Sequence, residues 1–217
     1  MVHDSIIAHK ISKHLLEIQA VSIQPDKPFQ WASGWLSPIY CDNRLTLSYP
    51  IIRKYIIDCF STIIEKHFNN VEVIAGVATA GIPHAALLAD KLNLPMVYVR
   101  SASKSHGKQN RIEGKLNSGQ KIVLIEDLIS TGKSSAEAAL SLKHSGAEVL
   151  SICSIFSYDF PEAMNLSEKI KIPFVSLSDY NYLIEEAIES QYIEKSHEAS
   201  LKNWRTDPSN WKPLSNG

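Results

Sequence analysis

From residue 71 onward the chain alternates between two apolar patterns, and that alternation restricts the possible fold more than any single motif. VEVIAGV (71–77), PMVYVR (95–100), KIVLIED (121–127), EVLSICSIF (148–156) and IPFVSLS (172–178) are short apolar runs of strand length. IPHAALLADKL (82–92), SSAEAALSLKHSG (134–146) and DYNYLIEEAIESQY (179–192) instead carry apolar residues at helical spacing. Runs that are apolar throughout suit strands covered on both faces, and strands alternating with helices predict a parallel sheet with right-handed crossovers. Such sheets bind ligands at the carboxyl ends of their strands. The loops that leave the strands are therefore the place to look for chemistry.

Ahead of this region, Asp4 is a plausible cap for a helix with Ile7, Ile11, Leu15 and Ile18 on one face. That helix ends near Ala20 and should pack on the main body. PFQWASGWLSPIYCDNR (28–44) mixes aromatics, Gly34, Pro28 and Pro38, which suits short strands and turns. Pro50 opens a second helix with Ile52, Ile56, Cys59 and Ile63 on one stripe, running to about Phe68. The expectation is an α/β fold with helices on both faces of the sheet, forming a single domain over 1–217. Residues from about 1 to 48 make a small appendage, and those from about 49 to 217 make the core and a tail rich in Trp, Asn and Pro.

The formal net charge of the 217 residues is -1, which gives no general attraction for nucleic acid or an anionic membrane. Any anion site must therefore be local. Cys41, Cys59 and Cys153 form no CxxC pair and no even set, so they are expected to be inert buried thiols in a reducing cytoplasm. No signal-peptide core or membrane-length run is present.

IVLIEDLISTGKSS (122–135) ends like a nucleotide-triphosphate loop, but the position that needs a glycine is Asp127, preceded by Glu126. A carboxylate pair stands where a triphosphate would lie. Backbone amides at the start of the following helix, with Ser130, Thr131, Gly132, Lys133 and Ser134, can instead hold one phosphate. Glu126 and Asp127 beside it suit the vicinal hydroxyls of a sugar phosphate, or a magnesium ion held by the sugar and its other phosphates. A second loop carries Arg100, Lys104, His106, Lys108 and Arg111, with Gly107 and Gly114 as hinges. Mobile positive charge of this kind suits a departing pyrophosphate. In the third, GVATAGIPHAA, small residues through Thr79, Ala80 and Gly81 let backbone approach an anion just before a helix.

The apolar strand, acid pair and Thr-Gly turn together resemble the phosphoribosyl pyrophosphate motif of the type I phosphoribosyltransferases. Arg100, Lys104, His106 and Gly107 are similar to the Arg-x-x-x-Lys-x-His-Gly loop of the orotate-using members. Phe29, Ser33, Gly34, Ser37, Pro38 and Tyr40 fit those members' N-terminal base-binding pattern. The resemblance implies a Rossmann-like type I core with a small N-terminal base-binding subdomain. It also implies transfer of phosphoribosyl to orotate with Mg2+ as cofactor, and a homodimer whose 101–114 loop reaches the neighbouring site. Lys104, His106 and Asp127 would be catalytic. Tyr40, Arg44 and Ser130 would meet orotate, with Arg44 replacing an arginine that many members carry where this chain has Ser157-Tyr158-Asp159. No residue is assigned as a direct metal ligand, although Asp127 would lie near a substrate-held ion. The alternatives are a purine phosphoribosyltransferase and a non-catalytic sensor of phosphoribosyl pyrophosphate.

Overall fold

The structure is a computed structural model that describes residues 4–31, 34–101 and 111–213. Helix α1 (Ser5–Glu17) leads into four short strands, β1 (Val21–Ile23), β2 (Phe29–Gln30), β3 (Leu36–Ser37) and β4 (Ile39–Cys41), and a 3-10 turn over Asn43–Ser48. Then come α2 (Pro50–His67), β5 (Val73–Val77), α3 (Gly81–Leu92), β6 (Met96–Val99), β7 (Ile112–Glu113) and β8 (Lys121–Ile129). The chain continues through α4 (Lys133–His144), β9 (Glu148–Ser157), α5 (Pro161–Ile170), β10 (Phe174–Asp179), α6 (Tyr180–Glu189) and α7 (Glu198–Thr206).

The main sheet has the order β10-β9-β8-β5-β6-β7, parallel throughout except for β7, which pairs antiparallel with β6. The sequence reading agrees on every strand of the parallel part and on α3 and α4 between them. It missed β1, β7, α5 and α7, and it ended the central strand at Asp127, whereas β8 runs on to Ile129.

The two faces of the sheet bury separate apolar layers. On one side Ala138, Ala139 and Leu142 of α4 and Ala163 of α5 cover Ile122, Leu124 and Ile152. On the other, Ile56 and Phe60 of α2 and Ala85 and Leu88 of α3 join Ile11 and Leu15 of α1 over Ile125 and Ile155. Each wholly buried Ile or Leu contributes roughly 1.5–3 kcal/mol relative to exposure, so these two layers dominate the stability of the fold. Asp4 caps α1 by accepting from the amides of Ile6 and Ile7, as its position before the apolar stripe predicts.

The tail is structural. Trp204 of α7 is fully buried, with its ring centroid 5.5–5.8 Å from those of Trp31, Tyr158, Phe160 and Tyr180. Its indole Nε1 donates to the Leu36 carbonyl at 3.0 Å. One side chain therefore ties the tail to both the core and the appendage. Of the cysteines, Cys59 and Cys153 are buried as expected, but Cys41 is only half-buried because β4 belongs to the thin appendage.

Candidate active site

The carboxyl ends of β5, β6 and β8 bring the three loops named above to one crevice. A small cleft is lined by Ala78 after β5, Arg100 and Ser101 after β6, Arg111, and Ser134 at the start of α4. The loop after β5 is tied to β6 through the Ala78 amide, which donates to the Val99 carbonyl at 2.9 Å. Thr79 is exposed in that loop, with Ala80 half-buried beside it. Gly81 lies where α3 meets β8: a Cβ there would come within 2.4 Å of the Ile125 carbonyl oxygen. No residue larger than glycine fits while this loop stays seated against the acid pair.

Beyond the acid pair, the turn into α4 leaves its first amides without a side-chain cap. Gly132 has φ +75° and caps α4 without a side chain, so no side-chain oxygen occupies the amides of the first helical turn. Ser130 is half-buried, while Thr131, Lys133 and Ser134 stand exposed around those amides. Helix α3 likewise begins at Ala80 with no side-chain cap. Two helix N-termini thus face the crevice with uncapped amides.

The acids are arranged in depth. Glu126 is buried; its oxygens accept from Ser135 Oγ at 3.2 Å and from the Asp127 amide at 3.1 Å. Burial first, and the side-chain hydrogen bond with Asp127 next, push its proton affinity well above the usual carboxylate range. Asp127 is half-buried and is also raised by burial, but its bond to Glu126 and the nearby Arg44 oppose the rise. The shared bond thus adds to the rise of Glu126 and opposes that of Asp127. The sequence places both acids beside the sugar; in the structure β8 continues past them, with Glu126 buried and Asp127 half-buried.

Of the residues expected to meet the base, Arg44 lies near Asp127. Tyr40 is exposed, with its ring 5.7 Å from Phe29. Arg44 grips Asp42 with Nε at 2.6 Å and a terminal nitrogen at 2.8 Å, and its proton affinity is raised first by that bond and further by Tyr40 and Asp127. Its guanidinium is thus at the crevice but already paired. Ser37 is turned inward, donating to the Ile39 carbonyl at 2.7 Å, so that position of the family pattern serves the turn. After β9, Tyr158 is buried against Phe160 and Asp159 binds Arg205 of α7, with a terminal nitrogen at 2.9 Å from the Asp159 carbonyl.

The cationic loop is described only at its stems. Arg100 lies 3.6 Å from Glu113, and its amide donates to the Arg111 carbonyl at 2.8 Å. The Arg111 guanidinium donates to the carbonyls of Arg100 and Ser101, each at 2.9 Å. Arg111, read as one of the loop's free cations, instead staples the two stems together. Lys104, His106, Gly107 and Lys108 lie outside the described residues, as does Ser33. Two contributions were missed by the sequence reading. One is the Arg111 staple; the other is Asn43, whose Nδ2 donates to the Asp127 carbonyl at 2.7 Å. Both are pairings between distant residues that no local pattern announces.

A family profile described as "Phosphoribosyl transferase domain" matches residues 46–183. The chain belongs to that family. Among its relatives are an orotate phosphoribosyltransferase of Bacillus pumilus, 56% identical over 200 residues and covering 92% of this chain and 94% of that one. Another, from Bacillus subtilis, is 53% identical over 205 residues, covering 94% and 95%. At this identity the chain falls among the orotate phosphoribosyltransferases of the family. The Aeropyrum pernix orotate phosphoribosyltransferase structure matches with a TM-score of 0.72 and 27% identity over 81% of this chain and 97% of that one. A Leishmania donovani UMP synthase matches with a TM-score of 0.77 and 27% identity; the match covers 91% of this chain but only 42% of that longer protein.

Proposed function

We propose that this chain is an orotate phosphoribosyltransferase of pyrimidine synthesis, transferring phosphoribosyl from phosphoribosyl pyrophosphate to orotate and releasing pyrophosphate. The observation that carries this reading is one crevice at the strand ends. There Asp127, a half-buried carboxylate near the end of β8, stands with two uncapped helix N-termini, in a chain more than half identical to orotate phosphoribosyltransferases. In the reaction the bond from C1 of the ribose to the pyrophosphate oxygen breaks and its electron pair leaves with pyrophosphate. The N1 lone pair of orotate forms the new bond to C1, so no protein nucleophile is needed.

Positioning and charge then do the catalytic work. The first amides of α4, with Ser130, Thr131 and Ser134, hold the 5'-phosphate. Thr79, Ala80 and Gly81 offer amides to pyrophosphate, helped by Arg100. Asp127 accepts from the ribose hydroxyls and favours positive charge at C1. Lys104 and His106 supply the loop's charge over the leaving group, with His106 able to give it a proton.

Magnesium fits this donor set, since the crevice offers carboxylate and hydroxyl oxygens suited to a hard cation. Bound through the substrate's own phosphates, with Asp127 facing it, the ion would neutralise charge on the leaving group. Among the described residues, the group of three potential ligands close enough for an ion is His9, Glu186 and Glu189 on α1 and α6. Among those residues no helix is long and apolar enough to cross a membrane; the proposed compartment is the cytoplasm.

The direct test incubates the protein with magnesium, phosphoribosyl pyrophosphate and orotate, adenine or xanthine in turn, following each base by absorbance. Loss of orotate alone is expected, and loss of a purine instead would overturn the assignment. Arg44→Ala is expected to raise the Michaelis constant for orotate about ten- to a hundredfold and to leave that for phosphoribosyl pyrophosphate within a few fold. Equal effects on both substrates would rule out Arg44 as the orotate carboxylate's partner.

The proposed assembly is a homodimer whose loop serves the partner's site. Lys104→Ala and Asp127→Asn homodimers should each be nearly inactive, yet mixing them should restore activity. Random exchange makes about half the dimers mixed, each with one intact site, so about a quarter of all sites recover. Demonstrated exchange without recovery would assign the loop to its own subunit.

A further inference from the structure

We infer that Asn43 is a positioning residue for the transfer step: its side chain fixes the Asp127 peptide where the base-binding appendage meets the sugar-binding loop. The inference rests on Asp127 being the carboxylate that orients the ribose. Asn43 is fully buried in the turn that follows β4. Its Nδ2 reaches across 84 residues to donate to the Asp127 carbonyl at 2.7 Å. Its Oδ1 accepts from the Cys41 thiol at 3.3 Å, and its own carbonyl accepts from Thr46 Oγ1 at 2.6 Å.

Donor and acceptor ends of the amide are thus both used. Residues 41–44 form a short relay from the appendage to the site: Cys41 orients Asn43, Asn43 holds Asp127, and Arg44 projects outward onto Asp42. An apolar residue at 43 would leave the Asp127 carbonyl without its partner and free that peptide to turn. A carboxylate displaced by about an ångström costs on the order of a hundredfold in rate even when binding survives. Nothing in residues 40–44 read alone distinguishes Asn43 from an ordinary turn asparagine.

The test uses full-length Asn43→Leu and Asn43→Asp, each alone and combined with Asp127→Asn, with thermal melts to confirm folding. Asn43→Leu should lower kcat roughly ten- to a hundredfold while KM for phosphoribosyl pyrophosphate changes little. Added to Asp127→Asn it should cost less than about twofold, since a residue acting through Asp127 has nothing left to position.

Asn43→Asp keeps the shape but can donate only when protonated. The titratable group in contact with it is the Cys41 thiol, which the Asp127 and Asp42 carboxylates approach, with Arg44 on Asp42 alongside. Its kcat relative to wild type should rise as pH is lowered, and that of Asn43→Leu should not. An unchanged kcat in Asn43→Leu, or a full independent loss on top of Asp127→Asn, would overturn the inference. Should Asn43→Leu fail to fold, a flat pH ratio in Asn43→Asp overturns it instead. Wild-type turnover by Asp127→Asn alone would show that the reading of Asp127, and not the Asn43 contact, is at fault.

Discussion

Asp127→Asn should lose about a hundred- to a thousandfold in kcat while melting close to wild type. The side chain is half-buried and contributes no apolar packing, so the fold does not depend on its charge. The transfer step does, because positive charge grows at the ribose as pyrophosphate departs. An amide keeps a hydrogen-bond acceptor for one hydroxyl but offers no negative charge to that transition state. Glu126 cannot take over: it is enclosed, its two oxygens are engaged by Ser135 and the Asp127 amide, and burial raises its proton affinity. The measurement is steady-state turnover with orotate, set beside a circular-dichroism melt. Near wild-type kcat in a folded variant would mean that Asp127 is not part of the chemistry.

Trp204→Ala is expected to have the largest effect on stability, about 3–5 kcal/mol. For a chain of this size that lowers the melting temperature by roughly 6–20 °C. The ring fills a space shared with Trp31, Tyr158, Phe160 and Tyr180, and its loss also orphans the Leu36 carbonyl. Because Trp31 and Leu36 belong to the appendage, KM for orotate should rise more than KM for phosphoribosyl pyrophosphate. Trp204→Phe, which keeps most of the ring volume and loses only the indole donor, should fall between. A melt of Trp204→Ala within a degree or two of wild type would show that the tail is an ornament on the fold.

The parallel sheet was legible because each of its strands is a short, mainly apolar run broken only by a serine or a single acid and closed by charged or turn residues, a local pattern that marks such segments. What escaped depends on partners. β1 and β7 are too short for periodicity to register, and they are strands only because Cys41 and Tyr98 lie opposite Val21 and Glu113. Helix α5 buries only Ala163, which leaves almost no apolar stripe; its one usable signal was Pro161 at the first helical position. In α7, Ser200, Leu201 and Trp204 do have helical spacing, but the surrounding Asn, Trp and Pro read as irregular chain.

The site divides the same way. Asp127, the Thr-Gly turn and Arg100 stand out by chemistry, since such residues at strand ends have few structural reasons to be there. The burial of Glu126 did not, because it follows from β8 continuing two residues beyond the acids. Nor could the pairings of Asn43 with Asp127, Arg111 with Arg100, or Arg44 with Asp42 be read in advance. Charge identifies a candidate, but only geometry tells whether it is free or already satisfied.

The contact between Trp204 and Leu36 also sets an order of events in the cell. The two residues are 168 positions apart, so the appendage leaves the ribosome long before the side chain that secures it. At a synthesis rate of about 5–20 residues per second, that interval is roughly 8 to 34 seconds. During it the aromatic face of Trp31 lacks this cover, as does that of Tyr158 once it is made, and the nascent chain is most exposed to chaperones, proteases and wrong partners. The appendage, made first, is thus secured last.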